Sequence, residues 1–543
     1  MALDDLFIHI GELGRYQWYL FILASLGTVV CPVTLFSQIF YTVPTEHWCS
    51  VDSWGYEDCD IYGLDHSQCE EAQRNLSIPW SKDTGYDECN MYNVTGLEFD
   101  SDGINDELDV IECQNGWKFD QRESGRTLTA KFSLVCDREV LIHVGQSLYF
   151  IGCLIGCPLF GALSDRIGRV YAWGFCITQS LVFAITMLFA NNFWTYTVMR
   201  MLMAMSNYAL WIIPFVYITE IVGYSKRMFV GLLVEFFWAG AYLTITLLSW
   251  ILKDWMYVQI AVIGIHIISY PILFLVPESP RWLLARGNFK KAEEILTVIA
   301  RRNGKEMPPN YKSELMDEAK LREQELQSKV KPIDLYRNRT MLLWTCILLV
   351  VWFGHGMTYF GLTFMSGELG FPFYPSFFIQ AAVEVPAYVF CIILLSYVGR
   401  RNPTSFFTTM AGVACLVSVV MPPGVWRALM IFAAKFAISV SFVILFVYTA
   451  EIFPTAVRGF GLSFSAIISL IGETISPLVL VLSHWWPPFP MVFCGLLTIV
   501  GGGLVMLLPE TRGTMLPETI EEAVALGRSK QRIPSEDYEE VKV

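Results

Sequence analysis

Charge is scarce in this chain. Only 16% of its 543 residues are Asp, Glu, Lys or Arg, where soluble domains carry about a quarter, so an ordinary water-facing globule is excluded. Histidine is rare too, seven in all. His143, His266 and His355 stand alone in separate apolar segments, which points to hydrogen-bonded packing residues rather than a proton relay. No Walker A loop, metal-ligand spacing or nucleophile elbow occurs, and "VGYSKR" lacks the glycine spacing of a phosphate loop. ATP-driven transport, enzymatic chemistry, a cofactor, a metal site and a nucleic-acid partner therefore have no support. A basic leader with a small-residue cleavage site is also missing. The start "MALDDLFIHIGELGRYQW" is acidic and amphipathic, so the first apolar run is expected to stay as a membrane helix.

What the chain has in quantity is apolar surface. Hydrophobic residues make up 54% and aromatics 15%, gathered into runs of about 20, long enough to cross a hydrocarbon core as helices. Twelve spans are predicted, near 17–42, 141–163, 170–190, 195–217, 228–250, 256–276, 340–362, 376–396, 404–421, 427–448, 460–483 and 488–508. The expected divisions are an N-terminal six-helix half (1–276), a helical loop (277–339), a C-terminal half (340–508) and a tail (509–543).

The first insertion, residues 43–138, holds Cys49, Cys59, Cys69, Cys89, Cys113 and Cys136, with sequons at Asn75 and Asn93. An even set of cysteines in a polar segment reads as a disulfide framework in an oxidising compartment, and the sequons as glycosylation sites on the same side. Six cysteines leave the pairing open. Between residues 43 and 136 stand 20 acids and 6 bases, a net of −14 that accounts for the chain's −13. The second insertion, 277–339, carries 14 Lys and Arg, and "NFKKAEEILTVIARRNGK" has helical periodicity. Short basic turns ("SDRIGRV", "YSKRMF", "GRRNP", "AVRGF") fall on the side opposite the sequons, which predicts cytoplasmic termini and an extracellular cysteine loop.

The two halves echo each other. Glu220 and Glu451, Arg227 and Arg458, Gly168 and Gly399, and Arg169 and Arg400 all lie 231 residues apart, and "VPESPRW" repeats as "LPETRG" at 232. A duplicated six-helix unit follows, the 6+6 architecture of the major facilitator fold, an all-α membrane protein with its substrate site between halves at the midplane. The duplicated charges (Arg169, Glu220, Arg227, Arg400, Glu451, Arg458), with Asp165 and Arg166 beside them in the first half, read as gating residues that latch the cytoplasmic side.

"GALSDRIGR", "PESPRWLLARG", "FSLVCD", "VEVPAYV" and "VYTAEIFPTAVRGFG" together resemble solute carrier family 22, the polyspecific organic cation, zwitterion and anion transporters. The likeness runs from "GELGRYQWY" to "LPETIEEA" and is nearest to the carnitine and organic-cation branch. It implies pocket roles for Trp211, Trp352, Tyr359, Glu384 and Lys435. One position departs: where cation carriers have Asp and carnitine carriers Arg, this chain has Leu470, with Glu473 three residues on.

Ionisable residues inside spans are functional candidates because burying them costs several kcal/mol. Glu235, Glu384, Glu473 and Lys435 qualify, and Arg200 lies near the start of a span. Three acids against one lysine favour a cation or zwitterion. Aromatic faces stabilise a quaternary ammonium by about 0.5–2 kcal/mol; Trp211, Trp352 and Tyr359 are candidates, with Phe36 and Gln38 behind them. The expected activity is alternating-access transport of small organic cations or carnitine-like zwitterions across the plasma membrane. The expected partners are that substrate, the bilayer and an undetermined coupling ion, sodium or proton, for a monomeric protein. The alternatives are an organic anion exchanger using Lys435 and a non-transporting sensor displaying its ectodomain.

Overall fold

A computed structural model of the chain describes residues 3–51, 65–81, 85–94, 108–121, 125–309, 311, 316, 337–368, 370–455, 457–514, 517 and 519–526. The chain packs as two compact units, one of Met1–Ser37, His143–Trp250 and Gln259–Val543 and the other of Gln38–Ile142 and Ile251–Val258.

Eleven of the described helices are long and apolar enough to cross a membrane. They are span 1 (Arg15–Tyr41), span 2 (Cys136–Ile167), span 3 (Arg169–Met187), span 4 (Phe193–Glu220), span 5 (Tyr224–Leu252), span 6 (Trp255–Leu275), span 7 (Arg339–Gly367), span 8 (Phe373–Tyr397), span 9 (Arg401–Val420), span 10 (Val425–Ile452) and span 11 (Arg458–His484). The shorter apolar helix Phe489–Val505 is span 12. Helices satisfy their own backbone, which lipid demands.

Spans 1 and 4 are interrupted part-way along. Span 1 breaks at Val29 and span 4 at Tyr208. The breaks meet: Asn207 Nδ2 donates to the Cys31 carbonyl at 3.0 Å and to the Tyr149 hydroxyl at 2.6 Å. A side chain at one break thus hydrogen-bonds the backbone at the other. Spans 2 and 4 come close because Gly152 and Gly156 have no Cβ; one there would collide with the carbonyls of Met201 and Met205.

Outside the spans, the helix Phe289–Arg302 occupies the middle of "NFKKAEEILTVIARRNGK" and buries Leu296, Ile299 and Ala300. Against them pack Leu3, Leu6, Phe7 and Ile10 from the N-terminal helix Leu3–Ile10. The amphipathic start of the chain is therefore part of the fold.

The second unit is built on three two-stranded antiparallel pairs: β1 (His47–Cys49) with β6 (Trp117–Phe119), β2 (Trp80–Ser81) with β3 (Gly85–Tyr86), and β4 (Asn90–Tyr92) with β5 (Val110–Glu112). Disulfides join Cys49 to Cys113 and Cys89 to Cys136, and Cys69 is also disulfide-bonded. Cys59 lies outside the described residues. Asn75 and Asn93 are both exposed. The connection between spans 5 and 6 belongs to this unit as well, beyond the 43–138 boundary expected from the sequence: Asp254 takes a 2.7 Å hydrogen bond from Arg126, whose carbonyl accepts from Trp255 N–H at 3.0 Å.

Candidate functional site

The duplicated charges form the same construction twice. After span 2 the chain turns at Gly168, whose φ of +106° suits glycine. Glu278 then accepts the N–H groups of Arg169 (2.9 Å) and Val170 (3.2 Å) at the start of span 3, a carboxylate on a helix N-terminus. Burial pushes the Glu278 carboxyl above its usual range, although these N–H bonds and that of Ser279 pull it back. The Arg169 side chain reaches Glu220 at 2.8 and 3.1 Å and Asp165 at 2.6 Å. In the second half Glu510 accepts the N–H of Arg400 (2.8 Å) and Arg401 (3.3 Å), and Arg400 bridges to Glu451 at 3.1 Å. Each bridge stays within its own half.

The other gating candidates divide. Arg227 pairs with Asp4 of the N-terminal helix, which Arg281 also reaches at 2.7 Å. Its counterpart Arg458 donates instead to the Phe453 carbonyl and to Thr455 Oγ1. Arg166 is exposed, and its carbonyl accepts from Arg286.

At mid-bundle, Glu384 of span 8 has no solvent exposure. Tyr388, one turn on, donates to its Oε2 at 3.2 Å, and Tyr359 of span 7 donates to Oε1 at 2.5 Å. Lys435 of span 10 places its ammonium 3.2 Å from the same Oε1, 2.9 Å from Thr363 Oγ1 and 3.1 Å from the centre of the Tyr359 ring. The ammonium thus sits between a carboxylate and an aromatic face. This network belongs to the second half, and one bond ties it to the first: Trp238 Nε1 of span 5 donates to the Tyr359 hydroxyl at 3.0 Å. Trp211 stands edge-on to Trp238 at 4.9 Å, and Phe236 edge-on to Tyr388 at 5.9 Å. Phe36 stacks on Tyr242 at 4.0 Å and reaches Phe360 at 6.4 Å; Phe150 meets Phe360 at 5.0 Å and Phe364 at 6.3 Å. Phe360 and Phe364 belong to the last two turns of span 7, so ring contacts join the two halves towards that end.

The structure therefore gathers Trp211, Tyr359, Glu384 and Lys435, and adds Trp238, Tyr388 and Thr363, which the sequence reading missed. Only Tyr388 carried a readable signal, its i+4 spacing from Glu384. Trp352 lies elsewhere: its Nε1 donates to Thr449 at 3.0 Å, and its ring packs on Phe442 and Phe446. Glu473 is buried apart from this network. Ser469 donates to its Oε1 at 3.1 Å, and its Oε2 has no partner among the described residues. Electrostatic contact ties it to Cys31, Cys157 and Tyr208 of the first half. Glu235 is half-buried and feels the charge of Glu384. Gln38 is buried, as is Leu470. His266 and His355 are held by Ser180 (2.8 Å) and Ser441 (2.9 Å) and by carbonyls of their own helices, while His143 is partly buried.

Residues 98–523 match the family described as "Sugar (and other) transporter". Across 96% of the chain and 95% of the relative, 30% of residues are identical to rat "Solute carrier family 22 member 3". The chain belongs to solute carrier family 22. A "Carcinine transporter" of Drosophila melanogaster is 31% identical over 97% of this chain and 80% of its own. The fold matches that of the inward-open xylose transporter XylE from E. coli at a TM-score of 0.62, with 16% identity over 94% of this chain and 100% of that one. This solute carrier is thus a multi-pass membrane transporter of the major facilitator fold, not an enzyme.

Proposed function

We propose that this solute carrier moves small organic cations or zwitterions, quaternary ammonium and carnitine-like compounds among them, across the plasma membrane by alternating access. One observation carries the reading. The Lys435 ammonium rests 3.2 Å from a Glu384 oxygen and 3.1 Å from the centre of the Tyr359 ring, the two elements that hold an alkylammonium ligand. Lys435 fills the place a substrate's positive group would take, and entry of a substrate cation displaces it. Glu235 and Glu473, which have no cationic partner among the described residues, supply the acid surplus that draws the cation in. Trp211 and Trp238 line the approach from the first half. An anion exchanger would need Lys435 free, and here its charge is spent on Glu384.

Around this site the reading has cytoplasmic termini, an extracellular disulfide-bonded loop glycosylated at Asn75 and Asn93, and a cytoplasmic gate of Arg169–Glu220 and Arg400–Glu451 with Arg227 and Arg458. The name of the Drosophila relative, a transporter of carcinine, fits an amine substrate. Cells expressing the chain should take up a labelled quaternary ammonium compound or a carnitine-like zwitterion and not an aromatic anion, and Glu384→Gln should abolish that uptake when counted per transporter at the cell surface. Anion uptake that survives loss of Glu384 but not of Lys435 would overturn the proposal; no uptake of any class would favour the sensor reading.

A further inference from the structure

The first half holds a buried cation that the Glu384 network does not use. Arg200, on span 4, is 1% exposed. Its Nη2 donates to the Leu35 carbonyl at 3.3 Å, its guanidinium lies 4.6 Å from the centre of the Tyr149 ring, and Tyr196 hydrogen-bonds it. No carboxylate among the described residues pairs with it, and its Nε and Nη1 have no hydrogen-bond partner there. Arginine stays protonated at any physiological pH and carries five N–H donors. A guanidinium left in a low-dielectric interior without a counter-charge is unfavourable.

Two more open polar groups stand beside it. Thr197 is one turn before Arg200 on span 4, and its hydroxyl is buried without a partner. Span 2 faces this part of span 4: a Cβ on Gly145 would lie 3.7 Å from Thr197 Oγ1, and Tyr149 meets Arg200. Gln146 lies next to Gly145 and one turn before Tyr149. It is 4% exposed, and neither of its amide atoms has a hydrogen-bond partner among the described residues. Guanidinium, amide N–H and hydroxyl are all donors, and they stand on the stretches of spans 2 and 4 that face each other, beside the Leu35 carbonyl of span 1. Gln146 is six residues from Val140 and Leu35 six from Tyr41, so the group lies about 9 Å inside the helix ends on the insertion side.

We propose that Arg200, Gln146 and Thr197 form a binding site for a small monovalent anion, either a free halide such as chloride or the carboxylate end of a zwitterionic substrate. The anion supplies the counter-charge and the acceptors that the three side chains lack. The site is separate from Glu384 and Lys435 and exists whether or not the substrate reading holds.

The test uses the purified full-length protein in lipid nanodiscs and follows its unfolding temperature. In wild type, replacing sodium gluconate by sodium chloride at equal ionic strength should raise the midpoint by several degrees. β-Alanine, set against its amide, asks whether a carboxylate takes the same place. Arg200→Gln should remove whichever response appears, and Lys290→Gln, at an exposed lysine of the helix Phe289–Arg302, should keep it. Should Arg200→Gln fail to fold, Gln146→Leu with Thr197→Val tests the same donors. A chloride response lost with these side chains supports the site with a halide in it; a β-alanine response lost with them supports it with a substrate carboxylate. No response to either anion in wild type, or responses that survive removal of the donors, overturns the proposal.

Discussion

Glu384→Gln breaks an ion pair in which both side chains have 0% exposure. The lysine ammonium then keeps only Thr363 Oγ1, the Tyr359 ring and a neutral amide. Removing one member of a buried pair costs about 3–5 kcal/mol, while replacing both by neutral groups is often close to neutral. At about 2.1 cal/mol/K per residue, 543 residues give an unfolding entropy near 1.1 kcal/mol/K. The single variants Glu384→Gln and Lys435→Met should therefore unfold about 2.5–4.5 °C lower than wild type. The double variant should recover most of that loss, a coupling of at least about 2 kcal/mol. Ligand response separates the two singles. Lys435→Met leaves Glu384 with two tyrosine hydroxyls and no cation, so a quaternary ammonium compound at about 100-fold over its Kd should return about 2.7 kcal/mol, or 2–3 °C by the same conversion. Intrinsic fluorescence of nanodisc-held protein reads both effects. A double variant that loses the sum of the singles would refute the pairing argument, and rescue of Lys435→Met by an anion instead of a cation would refute the site's polarity.

Four other outcomes are expected. Glu220→Gln or Glu451→Gln should leave the protein at the cell surface but cut uptake about tenfold or more, since each neutralises an Arg partner at one helix turn; unchanged uptake would remove these pairs from the gate. Gly156→Val should abolish surface expression, because its side chain meets backbone, the Met205 carbonyl, and overpacking of this kind costs about 1–3 kcal/mol; normal trafficking would show that spans 2 and 4 separate freely. Glu473→Gln keeps the Ser469 bond and removes a buried charge with an open oxygen, so the unfolding midpoint should rise by about 1–3 °C, equivalent to about 1–3 kcal/mol, while cation uptake falls; a lower midpoint would make the carboxylate structural. Asp87 accepts the N–H of Cys89 and Asn90 and the Asn90 side chain, which hold its carboxyl below the usual range despite partial burial. Its contribution is full above an unfolded value of about 3.9 and is lost as pH falls through the lower folded value, so amide exchange at Cys89 and Asn90 should quicken only in that acid window, and Asp87→Ala should abolish the change.

The spans were legible because crossing a hydrocarbon core demands length and apolarity, and composition records both. The paired charges at the helix turns were legible for another reason: duplication copied Arg169 and Glu220 to Arg400 and Glu451, and one shared offset is hard to produce by chance. Which charges pair was not legible. The sequence counts three acids and one lysine within the spans, but it does not say that Lys435 chooses Glu384 and leaves Glu473 open, because that depends on how spans 8, 10 and 11 turn about their axes. Trp352 shows the limit of periodicity. It shares a helix face with Tyr359, seven residues on, yet about 10.5 Å of rise separates them, and it packs with Phe442 and Phe446 instead of reaching Glu384. Trp238 left no signal at all, since its role arises only where span 5 of one half meets span 7 of the other.

The repeat also locates where the halves stopped being alike. At the 231-residue offset, Glu384 corresponds to Cys153 and Lys435 to Ala204. Those two belong to the same crossing in the first half, spans 2 and 4, where a Cβ on Gly152 would lie 3.0 Å from the Ala204 Cβ. The crossing of spans 8 and 10 carries a buried ion pair at the positions where spans 2 and 4 pack small residues. At the helix turns the halves remain near-copies, down to the glutamate that accepts the N–H groups beginning spans 3 and 9. Moving parts that must work in register gain from symmetry, whereas a binding site for one asymmetric ion gains from its loss. The charged crossing belongs to one half only, and among the described residues a hydrogen bond from Trp238 to Tyr359 joins it to the other. On the proposed reading, displacing Lys435 from Glu384 alters a tyrosine that both halves hold, which gives substrate binding a physical route to the interface that has to open.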